Sequence, residues 1–532
     1  MKKERLKYFN WGMSVLAGIG IFVFWYVIYP HALSYQEQYQ LFLWTSDYLL
    51  DKMCVPGGFS DWFGEFIVQN YYIEWLGALL LALLFMTLKW SAGWIPVALM
   101  LWLIGDPSVL LGYLVALLIA IVCHRINKVV WSFHALCELL IIPAIYWLTG
   151  PLAWVYVCLR IIRYGWHSWA LALYLLSLQL FAYHWILSQW TLQMIFTPAI
   201  YYRTPMMMPT LMYLIPLATV ATITIRARWN TTNLLILSEF AVFILLCFLA
   251  TTKGYDKDLY ELIHQDYLVR NERWDEIVKR AQNYQVKTEF SSVCVNLALS
   301  QKRLLAERMF DFYQSDANAL IMPRIRDLTS MLPSAEAFWR LGMVNSALRY
   351  FFDTQESILN GKKSGRCTKR IVECMIVNGH YKSARKHLSL LEKSLYYKDW
   401  AEKTEQLIAN ENAVNTHPVY GRLRQLRFKN DFLYSHFELY KMLGLLFMNN
   451  KENKMALDYF MGQMLLDGQV NGFQKYMPLV QQYGGYSIMP IGYQDALRCI
   501  QMRGNVQDSP YGEYAKRIIT NIKKKEENDE AH

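Results

Sequence analysis

The segment 46–70 concentrates side chains that could do chemistry. Four carboxylates lie in it, between one apolar run and the next. The segment is too charged to cross a bilayer and too aromatic for an ordinary exposed loop. Its acidic residues either act as catalytic acids and bases or hold the loop on a membrane surface. They are Asp47, Asp51, Asp61 and Glu65.

Ionisable residues inside apolar segments form a second group. His134 and Glu138 are four residues apart, so they share one face of a helix. Glu239 lies within the last long apolar segment. Charged groups are costly in a bilayer and are often functional there. These three residues either relay protons or ions or, as we favour, make hydrogen bonds between the helices of a bundle.

The elements that must position these residues are apolar helices in the first half of the chain. The protein has 532 residues, of which 54% are hydrophobic and 18% are charged, and the apolar excess lies before Thr251. About 20 apolar helical residues cross a hydrocarbon core about 30 Å thick. We predict about nine spans, at 11–30, 71–89, 94–105, 108–123, 129–148, 151–165, 168–190, 210–226 and 233–251.

The basic residues give these spans a sidedness. Lysine and arginine collect on the cytoplasmic side of membrane proteins. The N-terminus "MKKERLK" is basic, and so is every second turn after it. The sequence therefore predicts a cytoplasmic N-terminus, a retained first span, and a soluble half outside the cytoplasmic (inner) membrane of a bacterium, in the periplasm. The residues of the basic turns are Lys89, Arg125, Lys128, Arg160, Arg163, Arg226 and Arg228.

The first outer loop, residues 31–70, reads as two amphipathic helices separated by "VPGG". The first is predicted between Tyr35 and Met53. In the second, aromatic residues recur at helical spacing, and Asp61 and Glu65 lie together opposite them. We expect both helices to lie in the outer membrane interface, with these two carboxylates on the wet face.

The soluble half, residues 253–522, shows helical periodicity throughout, and a short charged tail follows at 523–532. A small or apolar residue recurs at related places in successive helix pairs, with gaps of 29, 41, 37 and 72 residues, which indicate a period near 34–40. This spacing resembles tetratricopeptide-type helical hairpins, although the full consensus is absent. Such solenoids bind a protein or peptide partner in a concave groove. The recurring residues are Ile277, Ala306, Ala347, Ala384 and Ala456.

The fold class is therefore all-α: a polytopic membrane bundle, residues 1–252, followed by a helical-hairpin solenoid. The net charge of +10 is spread along the chain, so the lipid bilayer and a protein partner are expected, and nucleic acid is not. Nine cysteines are scattered without a CxxC or ligand spacing, which predicts neither a disulfide nor a structural metal site.

The acidic residues of the outer loops suggest a resemblance to a known family, which covers about the first 250 residues. Glu37 follows the first span, Asp47 and Asp51 come later in that loop, and Asp106 lies in "IGDPS". This layout resembles the membrane glycosyltransferases of the C superfamily, whose loop carboxylates bind a metal or act as a base. The resemblance implies catalytic roles for these four residues, a divalent metal, and a lipid-linked sugar whose phosphate Arg203 meets.

One departure weakens that resemblance, because "YQEQYQ" has a single carboxylate where the family commonly has an Asp/Glu-x-Asp pair. The loop "SYQEQYQLF … PGGF" also resembles an uncharacterised family of multispanning Bacteroidota envelope proteins, which implies no activity. The favoured function is a membrane-anchored scaffold for envelope assembly or partner binding. The alternative is a polyprenyl-phosphate-sugar glycosyltransferase of the C type, active or degenerate.

Overall fold

In a computed structural model of the chain, the described residues form α-helices joined by short turns, with no β-strand among them. The all-α prediction is confirmed for these residues. They divide into two compact units, Met1–Lys257 with Lys393–Tyr396, and Asp258–Glu392 with Tyr397–His532. The residues that the structure describes are 2–104, 110–127, 131–165, 168–202, 209–228, 233–253, 256–325, 327, 329–358, 361–428, 438–502 and 508–530.

The first unit contains fourteen α-helices in its described residues. A π-helical turn follows α1, and 3-10 turns follow α4 and α8. The helices are α1 (Lys2–Val23), α2 (Pro30–Glu37), α3 (Ser46–Met53), α4 (Gly58–Gln69), α5 (Glu74–Ala92), α6 (Trp94–Ile104), α7 (Gly112–Ile126), α8 (Trp131–Thr149), α9 (Ala153–Tyr164), α10 (Trp169–Trp185), α11 (Leu192–Phe196), α12 (Pro198–Tyr201), α13 (Pro209–Arg228) and α14 (Asn233–Lys253).

Among the described residues of this unit, five helical segments are long and apolar enough to cross a membrane, where the sequence predicted about nine. Two predicted spans, 129–148 and 151–165, fall in one continuous segment. Two others correspond to apolar helices, α6 and α7, that are shorter than a full span. The protein is thus a helical chain compatible with a membrane. The five segments are Tyr8–Ile28, Glu74–Ala92, Cys137–Tyr164, Thr210–Arg228 and Ile236–Lys253.

The second unit is built from sixteen further helices among the described residues. They are α15 (Lys257–Arg270), α16 (Trp274–Asn283), α17 (Glu289–Gln301), α18 (Leu305–Arg308), α19 (Leu332–Leu341), α20 (Val344–Glu356), α21 (Gly365–Val377), α22 (Tyr381–Leu391), α23 (Lys398–Ile408), α24 (Glu411–Thr416), α25 (Tyr420–Leu426), α26 (Leu439–Asn449), α27 (Lys454–Leu466), α28 (Val470–Tyr483), α29 (Ile491–Gln501) and α30 (Pro510–Glu530).

Helices that follow one another in the second unit pack together, as α19 does on α20, α20 on α21 and α26 on α27. The recurring small residues lie inside these contacts, since Ile277, Ala347, Ala384 and Ala456 are fully buried. Packing also joins distant segments, because α17 and α18 contact α27, and α18 contacts α29. An open solenoid has contacts only between neighbouring repeats, so this unit is held together by more than repeat stacking.

Candidate functional site

The loop between the first two long helices is a compact hairpin of α3 and α4. Thr45 caps α3, since its hydroxyl accepts a hydrogen bond from the Tyr48 amide at 3.3 Å. Gly57 lets the chain turn into α4 because it takes a positive φ of 80°. The Gly57 amide donates to the Trp147 carbonyl at 2.7 Å, and the Trp147 indole donates to the Met53 carbonyl at 2.8 Å. The hairpin is therefore anchored to the end of α8.

Helix α4 packs against α7 at two glycines. A Cβ atom added to Gly64 would lie 2.4 Å from the Gly112 nitrogen, so no side chain fits between the two helices. One turn earlier, the Ser60 hydroxyl donates to the Leu148 carbonyl at 2.6 Å. This face of α4 is buried in the helical unit instead of facing water.

A polar quartet links the two hairpin helices. Lys52 Nζ lies 2.6 Å from Asp61 Oδ2 and 2.9 Å from Glu65 Oε1, and the Tyr48 hydroxyl donates to Glu65 Oε2. Burial lowers the pKa of Lys52, but Asp61 and Glu65 more than offset this and raise it overall. Burial and the Glu65 charge raise the pKa of Tyr48. Lys52 is thus a fixed cation, and Tyr48 stays protonated.

The prediction that Asp61 and Glu65 lie on a water-exposed face of α4 is wrong for Glu65, because its side chain is only 1% exposed. The prediction assumed that aromatic residues point down and carboxylates up. In the structure the ring of Phe42 packs against the rings of Trp62 and Phe66, with centroid distances of 5.5 and 5.7 Å. Both carboxylates turn toward Lys52, whose single positive charge offsets part of theirs, and periodicity in one helix cannot reveal this contact.

The predicted first helix of this loop is also interrupted. The chain leaves helical geometry after α2 and re-enters it only at Ser46, so residues 35–53 do not form one helix. Glu37 is the last residue of α2, with a buried side chain. Asp47 and Asp51 are exposed on α3. The structure does not bring these three carboxylates into one described contact.

Two of the predicted site residues, Asp106 and Arg203, lie outside the described residues. Their described neighbours do converge on α4. Gly112 follows the loop of Asp106, and a Cβ there would lie 3.0 Å from the Asp61 Cα. Tyr201 precedes Arg203 by two residues, and its hydroxyl oxygen would lie 2.6 Å from a Cβ on Gly57.

Glu138 is held within the bundle by a neutralising network. It pairs with Arg160, accepts a hydrogen bond from the Tyr156 hydroxyl at 2.8 Å, and accepts another from the Asn127 amide at 3.2 Å. Arg160 is fully buried and donates to the Asn127 carbonyl at 3.0 Å. These contacts link α7, α8 and α9. The backbone of His134 lies on α8, and its side chain is outside the described set.

Glu239 forms a second ion pair between apolar helices. Arg226 donates two hydrogen bonds to it, at 2.8 Å to Oε1 and 2.6 Å to Oε2. The Trp94 amide approaches Glu239 Oε2 at 3.5 Å. The fork geometry matches a carboxylate well, so the pair ties α13 to α14 and to the first turn of α6.

The second unit contains an open cleft of about 370 Å³ between the α18 region and α29. Ser509 Oγ and the Tyr511 amide donate to Asp495 at 2.9 and 3.1 Å and so fix one wall. The described lining carries more negative than positive charge. Its charged residues are Glu307, Asp311, Asp495, Asp508 and Arg498.

Buried ion pairs in the second unit escaped prediction. Arg370 donates to both oxygens of Glu336 at 3.1 and 3.0 Å, and Arg366 lies 2.7 Å from Asp266. Glu336 and Arg366 are buried. The paired residues are 34 and 100 positions apart in the sequence, so each one looks like an ordinary surface residue of its own helix. Only an acidic residue in a strongly apolar helix, such as Glu336 in "LPSAEAFWRL", hints at the network.

The described residues contain no group of three histidine, cysteine or carboxylate side chains that could hold a metal ion. In the α3–α4 quartet, Lys52 Nζ lies where a cation between the two carboxylates would have to bind. A divalent metal needs its oxygen ligands free of such a competing ammonium. The described quartet therefore does not fit a metal site.

Comparison with known proteins places the chain in one family. The model of a family of unknown function (DUF6057) matches residues 5–521, so the chain belongs to that family. No curated protein and no solved structure matches it significantly.

Proposed function

We propose that this member of the DUF6057 family is a membrane-anchored scaffold that binds a partner polypeptide through its second unit. The quartet of Tyr48, Lys52, Asp61 and Glu65 is the observation that carries the proposal. Lys52 binds both Asp61 and Glu65, so neither is poised as a base. The quartet holds α3 against α4, and the Gly57–Trp147 and Ser60–Leu148 hydrogen bonds fix this hairpin on the bundle, as an anchor requires.

The apolar surface of the first unit supports a membrane location. Leu16 on α1 is 70% exposed, and Phe248 on α14 is 61% exposed. An isolated soluble domain rarely leaves such helices uncovered. We place the protein in the inner membrane of a bacterium, with a bundle of up to nine spans, the N-terminus inside, and a solenoid-like second unit in the periplasm, following the basic turns.

The cleft of the second unit supports a partner with basic side chains. Its described carboxylates outnumber its one arginine, and complementary charge steers association. The test places a photo-crosslinking residue at Gln494, which lines the cleft, and at exposed Lys403 on α23 as the control. A single covalent adduct from Gln494 that is absent from Lys403, and is lost with Asp495→Asn, is expected. Equal labelling from both positions would rule out the cleft.

The glycosyltransferase alternative is favoured by one observation, the close contact of Gly64 with Gly112. It puts the first outer loop beside the start of α7, and Gly112 there follows Asp106 by six residues in the sequence. The test replaces Glu37 by Gln in the native host and measures envelope glycans at unchanged protein level. Loss of a specific glycan would establish the enzyme, while unchanged glycans together with the Gln494 adduct would establish the scaffold.

A further inference from the structure

We propose that the turn between α5 and α6 binds the phosphate of an anionic phospholipid headgroup. The turn, from Lys89 to Trp94, is surrounded by three cationic side chains from three different helices: Lys89 of α5, Arg125 of α7 and Arg226 of α13. This inference rests on the membrane location proposed above, and it adds a ligand class and the residues that would bind it.

Among the described residues, Arg226 is the one cation of the three that pairs with a carboxylate within hydrogen-bond distance. Its guanidinium packs against the backbone of Gly93, where a side chain would not fit: a Cβ added to Gly93 would lie 2.9 Å from Arg226 Cζ. Gly93 has a positive φ of 107° and is buried, so a side chain is excluded at this point of the turn. Glu239 compensates Arg226 through the two hydrogen bonds described above. That pair is neutral as a whole.

The other two cations contact only neutral groups among the described residues. Lys89 Nζ donates to Asn10 Oδ1 at 3.0 Å and to the Ser14 hydroxyl. Arg125 Nη2 donates to the Ser91 carbonyl at 2.5 Å. The described side chains at this turn therefore carry a net charge of +2, by three cations against one carboxylate. An uncompensated charge of this size at a membrane boundary favours an anion.

The chemistry of the turn fits a phosphate that belongs to a lipid. Arg125 is exposed, so its remaining guanidinium nitrogens can reach a phosphate, a group that arginine binds in a planar fork. Its guanidinium lies 5.5 Å from the centroid of the Trp90 ring, and Trp90 is 69% exposed. Exposed tryptophans at the ends of apolar helices sit at the level of the headgroups. Basic pockets between such helices bind acidic headgroups.

The test uses the full chain in mild detergent and measures bound phosphatidylglycerol by native mass spectrometry. Arg125→Gln should weaken phosphatidylglycerol binding about tenfold, the loss expected for one charge-assisted contact. The matched control is Arg163→Gln, which removes an exposed arginine at the end of α9 and should leave binding unchanged. Arg125→Lys, which keeps the charge but lacks the planar fork, should weaken binding less than Arg125→Gln does, and thermal unfolding without lipid reports whether each variant is folded.

Several outcomes overturn the proposal. Equal losses from Arg125→Gln and Arg163→Gln would mean that surface charge in general attracts the lipid. Displacement of phosphatidylglycerol by an equal concentration of inorganic phosphate would make free phosphate the ligand. Failure of the protein to float with lipid vesicles would contradict the membrane location itself, and that measurement is independent of Arg125.

Discussion

Arg303 Nη1 lies 2.8 Å from Asp458 Oδ2, although 155 residues separate the two along the chain. The same guanidinium donates to the Gly484 carbonyl at 2.6 Å, and the Tyr486 hydroxyl donates to Asp458 Oδ1 at 2.7 Å. One arginine thus joins the loop between α17 and α18 to α27 and to the segment after α28. This contact closes the second unit by joining helices that are far apart in the chain.

Replacing Arg303 should weaken the contact between the α17–α18 loop, α27 and the segment after α28. Arg303→Met leaves Asp458, whose side chain is only 1% exposed, with a hydrogen bond from the neutral Tyr486 hydroxyl. Because Arg303 is itself 37% exposed, we expect a cost of about 2 kcal/mol, or a roughly 30-fold rise in amide hydrogen exchange of α27. Arg385→Met, which breaks an exposed pair with Glu405, should change exchange by less than about threefold. Similar effects from both would contradict the closure.

The pH dependence of the second unit should depend on Asp458. Burial raises its pKa from 3.8 to about 6, against the opposing effect of Arg303. A raised carboxyl pKa means that the folded state binds the proton more tightly, so this contribution to stability is complete below about pH 4 and is lost as the pH rises through 6. Asp458→Asn should remove that slope. Urea unfolding of both proteins between pH 4 and 7 measures it, and parallel curves would refute the assignment.

His264 should act in the opposite direction. Burial, together with nearby Arg280, lowers its pKa from 6.5 to about 4. A depressed histidine pKa stabilises the folded state above pH 6.5, and this contribution is lost as the pH falls through 4. His264→Gln should therefore become relatively more stable than the native chain as the pH drops from 7 to 4. The same urea series measures this, and a constant difference across the range would count against it.

The quartet of the α3–α4 hairpin should be sensitive to its single cation. Lys52→Met leaves Glu65 buried without the ammonium, and we expect a loss of about 3 kcal/mol, seen as a lower thermal midpoint in detergent. Adding Glu65→Gln should restore part of the loss because the uncompensated charge is gone. Asp51→Asn on the exposed side of α3 is the control and should be neutral. A neutral Lys52→Met variant would show that the quartet is not structural.

The approach of α4 to α7 should tolerate no side chain at its centre. Gly64→Ala places a methyl group 2.4 Å from the Gly112 nitrogen, so the helices must separate, at a cost of about 2 kcal/mol. Gly20→Ala on α1 has nothing within 4 Å and should leave the thermal midpoint unchanged. Equal midpoints for both variants would mean that the two helices can move apart freely.

Periodicity and apolar content were enough to predict helices, the apolar character of the first half and the small residues of the repeats. Ala347 and Ala384 were predicted at helix contacts and are fully buried. These features are local, because apolar residues recur every three or four positions along the buried face of a helix. The number of long spans was less well predicted, since hydropathy alone does not distinguish a full span from a short buried helix such as α6.

Tertiary structure alone decided which carboxylates face inward. Glu65 and Glu138 look like a surface residue and an isolated intramembrane acid in the sequence, and each is fixed by a cation from another helix, Lys52 or Arg160. The closure by Arg303 and Asp458 likewise depends on segments far apart in the chain. The sequence determined where helices form because that information repeats locally. The pairing of charges required the three-dimensional fold, because compensation depends on distance in space and leaves no period along the chain.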